Sequence, residues 1–420
     1  MSVSTSRRGF IRDAAFALGG VAIGAGLGYM AAGAGQKPAT VTQTITQTTT
    51  KTEVGEKKVV AGFVYVGPVS DYGWTHAHDV GREYAKSKCP WLETKIVESV
   101  EEAKVQGAIE TLIGQGANIV FTTSFGFMEG TAEEAQKHPD VYFAHCSGYK
   151  SGAAGNATQN MSAYFAEFYQ LYYLNGLAAG AVTETGVLGY VAAVPIPEVI
   201  RHINAFVLGA KETAKARGKN IKVYVQWLNA WVDPEGAKKA ATSLVENNNA
   251  DVLAFTEDTP TVLQVAESYQ KKGKKVWSFS HYSDMSKEGP NAHLTGQIVN
   301  WGPIYVDFVS QVYARSWRSV DIWARIGDYM PYKWANLSNP KIESNGAVYL
   351  APLNPVVPSE VKSLIALRWE QMKELLFEPF TGPIKDMDGK VRIKEGERAT
   401  HDVLWNMDWH VEGVETPLPK

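Results

Sequence analysis

The feature that most constrains this chain is an alternation of strand-like and helix-like runs that occurs twice. Residues 59–66 read VVAGFVYV and are ended by Gly67-Pro68. A continuous apolar run of that length, closed by turn residues, suits a strand buried on both faces. Helices are expected over about 79–88 and 101–113, the second with Val105, Ala108, Ile109 and Leu112 on a 3.6-residue period. Strands follow at 118–123 and 141–144, with a helix at 131–137 between them. The pattern then restarts. Strands are expected at 187–194, 222–228, 251–255, 275–279 and 293–299, with helices over about 198–216 and 235–246. A helix over about 304–315 leads back towards the first unit. Strand–helix alternation implies a parallel sheet with helices on both faces. The expected fold is therefore α/β, with two doubly wound parallel-sheet lobes. A length of 420 residues, 45% of them hydrophobic, is enough for two cores.

The N-terminus has a different character. Ser6-Arg7-Arg8-Gly9-Phe10-Ile11-Arg12 precedes an apolar run from Ala14 to Gly35. Paired arginines abutting such a run resemble a twin-arginine export signal. A helix of that length reaches roughly 33 Å, enough to cross a bilayer. Ala32-Gly33-Ala34 also offers small residues for cleavage, so removal and retention as an anchor are both compatible with the run. Residues 38–52, PATVTQTITQTTTKT, have no amphipathic period and too little apolar surface to fold. The chain thus reads as a signal or anchor segment (1–35), a Thr-rich stalk (36–56), lobe 1 (57–165), lobe 2 (166–299), and a 300–420 part that returns to lobe 1 and ends in a C-terminal extension. The protein is expected to be exported and held at the outer side of the cytoplasmic membrane, as a monomer. Three sequons begin at Asn156, Asn160 and Asn336.

Composition excludes several classes. The net charge is −3, with no basic block beyond the N-terminal pair, so nucleic acid is not an expected partner. Cys89 and Cys146 allow either two free thiols or one disulfide. His76 and His78 have no third ligand nearby in sequence, so no metal is expected. Neither GxSxG, HExxH nor a P-loop is present. No enzyme and no cofactor are therefore expected.

In doubly wound sheets, ligands bind beyond the carboxyl ends of the strands. In the first unit those loops read Gly67-Pro68-Val69-Ser70-Asp71-Tyr72-Gly73-Trp74-Thr75, Thr123-Ser124-Phe125-Gly126-Phe127 and Ser147-Gly148-Tyr149. In the second they read Asn229-Ala230-Trp231-Val232-Asp233, Thr256-Glu257-Asp258-Thr259 and His281-Tyr282-Ser283-Asp284. Nearly every loop puts an aromatic beside a hydrogen-bonding residue, as a pocket for a flat polar ligand requires. Asp258 and Asp284 could accept from an exocyclic amine or could instead cap the turns that follow them. Phe125 and Tyr149 read as wall residues. Glu167 opens an apparent crossover helix.

The stretches GFVYVGPVSDYGWTHAHDVGREY, TTSFGFMEGTAEEAQKHPDVYFAH, NMSAYFAEFYQLYYLNGLAAG, NAWVDPEGAKKAA and SDMSKEGPNAHLTGQIVNWGP resemble the BMP family of ABC-transporter substrate-binding proteins, the basic-membrane-protein and purine-nucleoside-receptor group. The likeness spans 57 to about 317 and resumes at 380–397. It implies a type I periplasmic-binding-protein fold with a three-crossover hinge, closure around a purine-type ligand, and handover to a permease and an ATPase. Position by position, Trp74 stands where the family has its base-stacking aromatic. Thr75 stands where nucleoside binders have Asn. Trp231 matches the opposing aromatic, with Asn229 beside it. Asp284 matches the last acid of the loop at 280–285, while Tyr282 replaces the ribose acid. Trp301, with Val299 and Asn300, occupies the place of a family lysine. These departures fit a binder of a free nucleobase such as adenine. Tyr72, Phe125 and Asp258 complete the expected ligand set. A binder of a sugar or other small polar ligand, a sensory receptor and a purine-processing enzyme are the alternatives.

Overall fold

The computed structural model describes residues 58–329 and 346–419. All belong to the compact unit Gly55–Lys420. The twin-arginine segment, the stalk and the sequon at Asn336 lie outside the described residues.

The first sheet takes β1 (Val59–Val64), β2 (Leu92–Val97), β3 (Ile119–Thr122), β4 (Tyr142–Cys146), β5 (Met161–Ala166) and the late strand β11 (Asp321–Ala324). Its order is β11-β5-β4-β3-β1-β2, and every pairing is parallel. Helices α1 (Trp74–Lys88), α2 (Val105–Gly114), α3 (Met128–Lys137) and α8 (Gly302–Ala314) cover it. The second lobe is built on β6 (Val187–Ala192), β7 (Lys222–Trp227), β8 (Val252–Phe255), β9 (Ser278–Tyr282), β10 (His293–Val299) and β12 (Val348–Leu350). Strands β7-β6-β8 are parallel, a bridge between Val252 and Trp277 joins them to β9-β10, and β12 pairs antiparallel with β10. Helices α4 (Phe168–Val182), α5 (Pro197–Ala216), α6 (Pro234–Asn247) and α7 (Thr261–Lys271) flank this second lobe.

The expected α/β architecture of two doubly wound lobes holds. Four strands of the two lobes escape a sequence reading, the short β11 and β12 among them. β2 (LETKIV) is an edge strand that mixes charge with apolar residues. β5 (MSAYFA) is fully buried but runs straight into α4. The α4–α5 crossing is unusually close. A Cβ at Gly176 would lie 2.1 Å from the Phe206 carbonyl oxygen, and one at Gly209 would lie 2.0 Å from that of Tyr173. Only glycine allows that approach.

Among the described residues the chain passes between the lobes at 166–168 and at 299–302, and β11 and β12 belong to different lobes. The passages are bonded to the chain at those two strands. The Glu167 N–H donates to the Ala324 carbonyl at 2.8 Å, and the Asn300 N–H to that of Ala347 at 2.8 Å. Beside them the Tyr169 hydroxyl lies 3.2 Å from Glu167 Oε2 and 3.1 Å from Glu378 Oε2. Burial, reinforced by Glu378, pushes Glu167 up to about 8, and burial raises Glu378 to about 7.

The C-terminal part differs from expectation in its partner. Only 302–324 rejoin the first sheet. From 346 onward the chain packs mainly on the second lobe. The Val223 N–H donates to the Gly413 carbonyl, and the Glu415 N–H to that of Val223, both at 2.8 Å, extending the β7 edge. Asn204 of α5 holds the Trp409 carbonyl at 2.7 Å and the Val411 N–H at 2.9 Å. The open edge of β7 supplied unpaired backbone groups, and the C-terminal segment satisfies them. Cys89 and Cys146 are buried free thiols. The Asn160 amide donates to the carbonyls of Ala135, His138 and Val141, so its side chain is engaged within the fold. Among the described residues no helix is long and apolar enough to cross a membrane.

Candidate ligand-binding site

The strand-end loops of the two lobes face each other around one cavity with about 280 Å³ of empty space. The first lobe contributes Val66, Trp74, Ser124, Phe125 and Ser147, and the second Glu198, Trp231, Asp258 and Tyr282.

Trp74 opens α1. The Asp71 carboxylate accepts from the N–H groups of Gly73, Thr75 and His76, each at 2.9 Å, and so fixes the start of that helix. The Trp74 indole N–H donates to the Thr123 carbonyl. With its N–H consumed, the indole offers the cavity only ring surface. A Cβ at Gly73 would lie 2.6 Å from the Asp258 carbonyl oxygen, so glycine is what lets this loop touch the opposite lobe. Trp231 is half-buried, and its carbonyl accepts from the Asp258 N–H at 2.8 Å, which ties two second-lobe loops together.

Asp258 is 2% exposed, and its Oδ1 has no hydrogen-bond partner. The nearest candidate, His281 Nε2, is 3.5 Å away, too far for a hydrogen bond. It does not make an ion pair either, because burial lowers His281 to about 3 and leaves it neutral. His281 Nδ1 faces Gln297 Nε2 at 2.8 Å and the Tyr172 hydroxyl at 3.0 Å. Burial, with the nearby charges of Asp71 and Glu257, holds Asp258 well above the usual carboxylate range. An unpartnered buried acceptor beside a cavity is a place where a ligand N–H would be favoured.

Glu198 sits in the first turn of α5, behind Pro197, where the helix dipole favours a carboxylate. It accepts from the Ser147 hydroxyl at 2.8 Å and from the Tyr282 hydroxyl at 3.2 Å. The first of these bonds crosses between lobes. Burial raises Glu198 above the ordinary range, opposed by the charge of Arg201. Ser147 and Tyr282 both have left-handed backbones, with φ of 73° and 61°. Such conformations cost about 1–3 kcal/mol in non-glycine residues and cluster at functional sites. An outer cavity adjoins through Phe125, Ser147 and Glu198, and Arg201 lines it. The Arg201 guanidinium lies 5.2 Å from the Trp323 ring and 5.6 Å from that of Trp405.

Trp74, Phe125, Trp231, Asp258 and Tyr282 are therefore brought together. The other five residues marked by the sequence are not. The Thr75 hydroxyl accepts from the Gly67 N–H. Tyr72 is 49% exposed, and its carbonyl accepts from the Ser283 hydroxyl of the other lobe. Asn229 is exposed. Asp284 is exposed and its side chain caps the turn at Ser286. Trp301 is fully buried, stacked on His78 at 4.9 Å and 1°. His78 is further held by the Tyr305 hydroxyl, and His76 lies 3.2 Å from the Val69 carbonyl. Besides Val66 and Ser124, Glu198 and Ser147 line the cavity without having been singled out by the sequence reading. The strand-end rule points to both, but the loop after β6, Pro195-Ile196-Pro197-Glu198, carries no aromatic to draw attention.

The family model for ABC transporter substrate-binding proteins of the PnrA-like type, Bmp, matches residues 58–328. The chain belongs to the Bmp family. It is 35% identical to a purine-binding protein of Brucella abortus (strain 2308), over 87% of this chain and 95% of that one. It is 30% identical to a putative ABC transporter glucose-binding protein of Haloferax volcanii, over 86% of this chain and 81% of that one. An ABC transporter solute-binding protein of Aeropyrum pernix K1 shares the fold, with a TM-score of 0.64 at 12% identity over 82% of this chain and 95% of that one. A Bmp-family protein of this type I fold is an extracytoplasmic binder of a small molecule that works with an ABC permease and ATPase. The interlobe cavity is ringed by strand ends, the position at which doubly wound α/β sheets bind ligands in general.

Proposed function

We propose that this protein captures a purine by closing its lobes around it, and prefers a free nucleobase such as adenine to a nucleoside. The observation that carries the reading is the cavity itself. Two tryptophans from opposite lobes meet there with a buried carboxyl oxygen that lacks a partner. Aromatic faces suit a flat ring, and the unpartnered Asp258 oxygen suits an exocyclic amine or ring N–H. The residues lining the inner cavity include carboxyls and neither Lys nor Arg, so a phosphate held there would meet no countercharge.

Burying ribose hydroxyls without partners costs about 1–3 kcal/mol per group. Calorimetry on the full chain should rank adenine above adenosine, and both above glucose. Tighter binding of adenosine or inosine would replace the nucleobase reading by a nucleoside one. Tightest binding of glucose would favour the ligand named for the Haloferax relative. Purine recovered after incubation should be unaltered, as for a binder; a product would make the protein an enzyme.

The same reading places the folded unit outside the cytoplasmic membrane, exported through Arg7 and Arg8 and held on the Thr-rich stalk by the 14–35 run. Replacing both arginines by lysine should stop export and leave the folded unit intact. Normal export of that variant would remove the twin-arginine part.

A further inference from the structure

Away from the ligand cavity, one buried carboxylate keeps an oxygen without a partner. Glu134 of α3 is 1% exposed, yet its Oε2 has no hydrogen-bond partner. Its other oxygen, Oε1, is well supplied, by Lys137 Nζ at 2.7 Å and Gln106 Nε2 at 3.1 Å. The free oxygen is aimed at His138 Nε2, 3.5 Å away. The same nitrogen lies 2.9 Å from Glu110 Oε1 on α2. The three residues offer one ligand atom each, all within 4.8 Å of one another. Glu134 and His138 are four residues apart, so they share one helical face, while Glu110 comes from the neighbouring helix.

These separations match a coordination shell. A tetrahedral ion bound at about 2.0–2.2 Å to nitrogen and oxygen sets its ligand atoms roughly 3.4 Å apart. The two distances of 2.9 and 3.5 Å lie on either side of that value. The Glu110 side chain is 51% exposed and is free to turn and close the third side. Lys137 and Gln106 would act as outer partners, holding Oε1 so that Oε2 stays directed at the ion. A plain surface pair between His138 and Glu110 accounts for those two residues but leaves the buried Glu134 oxygen unsatisfied. A cation accounts for all three. Imidazole with carboxylates suits the zinc class, whereas magnesium and calcium favour all-oxygen shells.

We propose that Glu110, Glu134 and His138 form a binding site for a divalent transition metal of the Zn²⁺ class, with water at the fourth position. The sequence reading sought ligands only around His76 and His78 and missed a trio assembled from two helices. The ion would tie the C-terminal end of α3 to α2. The turn at Phe125 leads into the opposite end of α3 and faces the ligand cavity, so the site braces one wall of the cleft from behind.

The test uses the full chain, stripped with chelator and titrated calorimetrically with Zn²⁺, alongside thermal melts. One Zn²⁺ per chain should bind and raise the Tm, and Mg²⁺ at the same concentration should not. In Glu110→Gln, at an exposed position, and His138→Ala, at a partly buried one, Zn²⁺ affinity should fall at least roughly 10-fold and the Zn²⁺-dependent rise in Tm should vanish. Glu134→Gln should behave likewise. Unchanged purine binding in the Glu110 and His138 variants would show that they are folded. If the parent takes up no stoichiometric Zn²⁺, or if His138→Ala binds it as tightly as the parent, the site does not exist.

Discussion

Trp231→Ala should weaken purine binding by roughly 5- to 150-fold, the equivalent of the ~1–3 kcal/mol that a base gains on one aromatic face. It should also reduce ligand-induced compaction in small-angle scattering. The two effects have one cause. Trp74 belongs to the first lobe and Trp231 to the second, so a ring held by both exists only when the lobes meet. A ligand shifts the open–closed equilibrium only through interactions that differ between the two states. Trp231 is the cleaner probe, because it is half-buried and its removal disturbs little. Trp74→Ala should lower affinity similarly but should also lower the Tm. Its ring packs 4.5 Å from His78 and 5.7 Å from Trp301 in the core. If both variants bind purine as tightly as the parent, these tryptophans do not hold the ligand.

Asp258→Asn should separate binding from stability. Leaving a buried polar group poorly partnered costs about 1–3 kcal/mol, so affinity for adenine should fall roughly 5- to 150-fold. In the absence of ligand the same variant should be more stable than the parent, and increasingly so as pH rises. The sign follows from the raised pKa of Asp258 in the folded state. Above the unfolded value of about 3.9, the folded protein binds more protons than the unfolded chain. Stability present at acid pH is therefore lost as pH rises towards the folded pKa. An amide does not titrate, so the variant escapes that loss. Thermal melts at pH 5 and pH 8.5 measure the difference. A gap between variant and parent that shrinks with pH would show that Asp258 is not the buried, unpaired acid described above. Unchanged adenine affinity would remove it from the ligand contacts.

Parts of this molecule are local and were readable along the chain. The runs at 59–64 and 187–192 are buried on almost every residue, so their apolar continuity needs no partner to be recognised. Trp74, Phe125, Trp231 and Asp258 were readable because strand-end position and residue type coincide in them. Other residues carried the same surface features to different ends. Asp284 lies in a strand-end loop, yet its carboxylate is used by the Ser286 N–H two residues on. Trp301 follows β10 and turns inward onto His78. Nothing in the local sequence separates these outcomes, since a loop side chain goes where the φ of its residue and the packing of the other lobe send it.

The sequence by itself determined that there are two parallel α/β lobes with their strand-end loops as the working surface. Hydrophobic period and turn residues act over a few positions and need no distant contact. Which loop residues converge was decided only in three dimensions. Ser147 reaches Glu198 across the gap between lobes, 51 residues apart in sequence. Asp258 loses its partner only because both lobes bury it. The grouping of Glu110 with Glu134 and His138 arises because α2 and α3 lie side by side on the first sheet. Burial and charge at these atoms are sums over groups distant in the chain, and only the folded arrangement fixes which groups enter the sum.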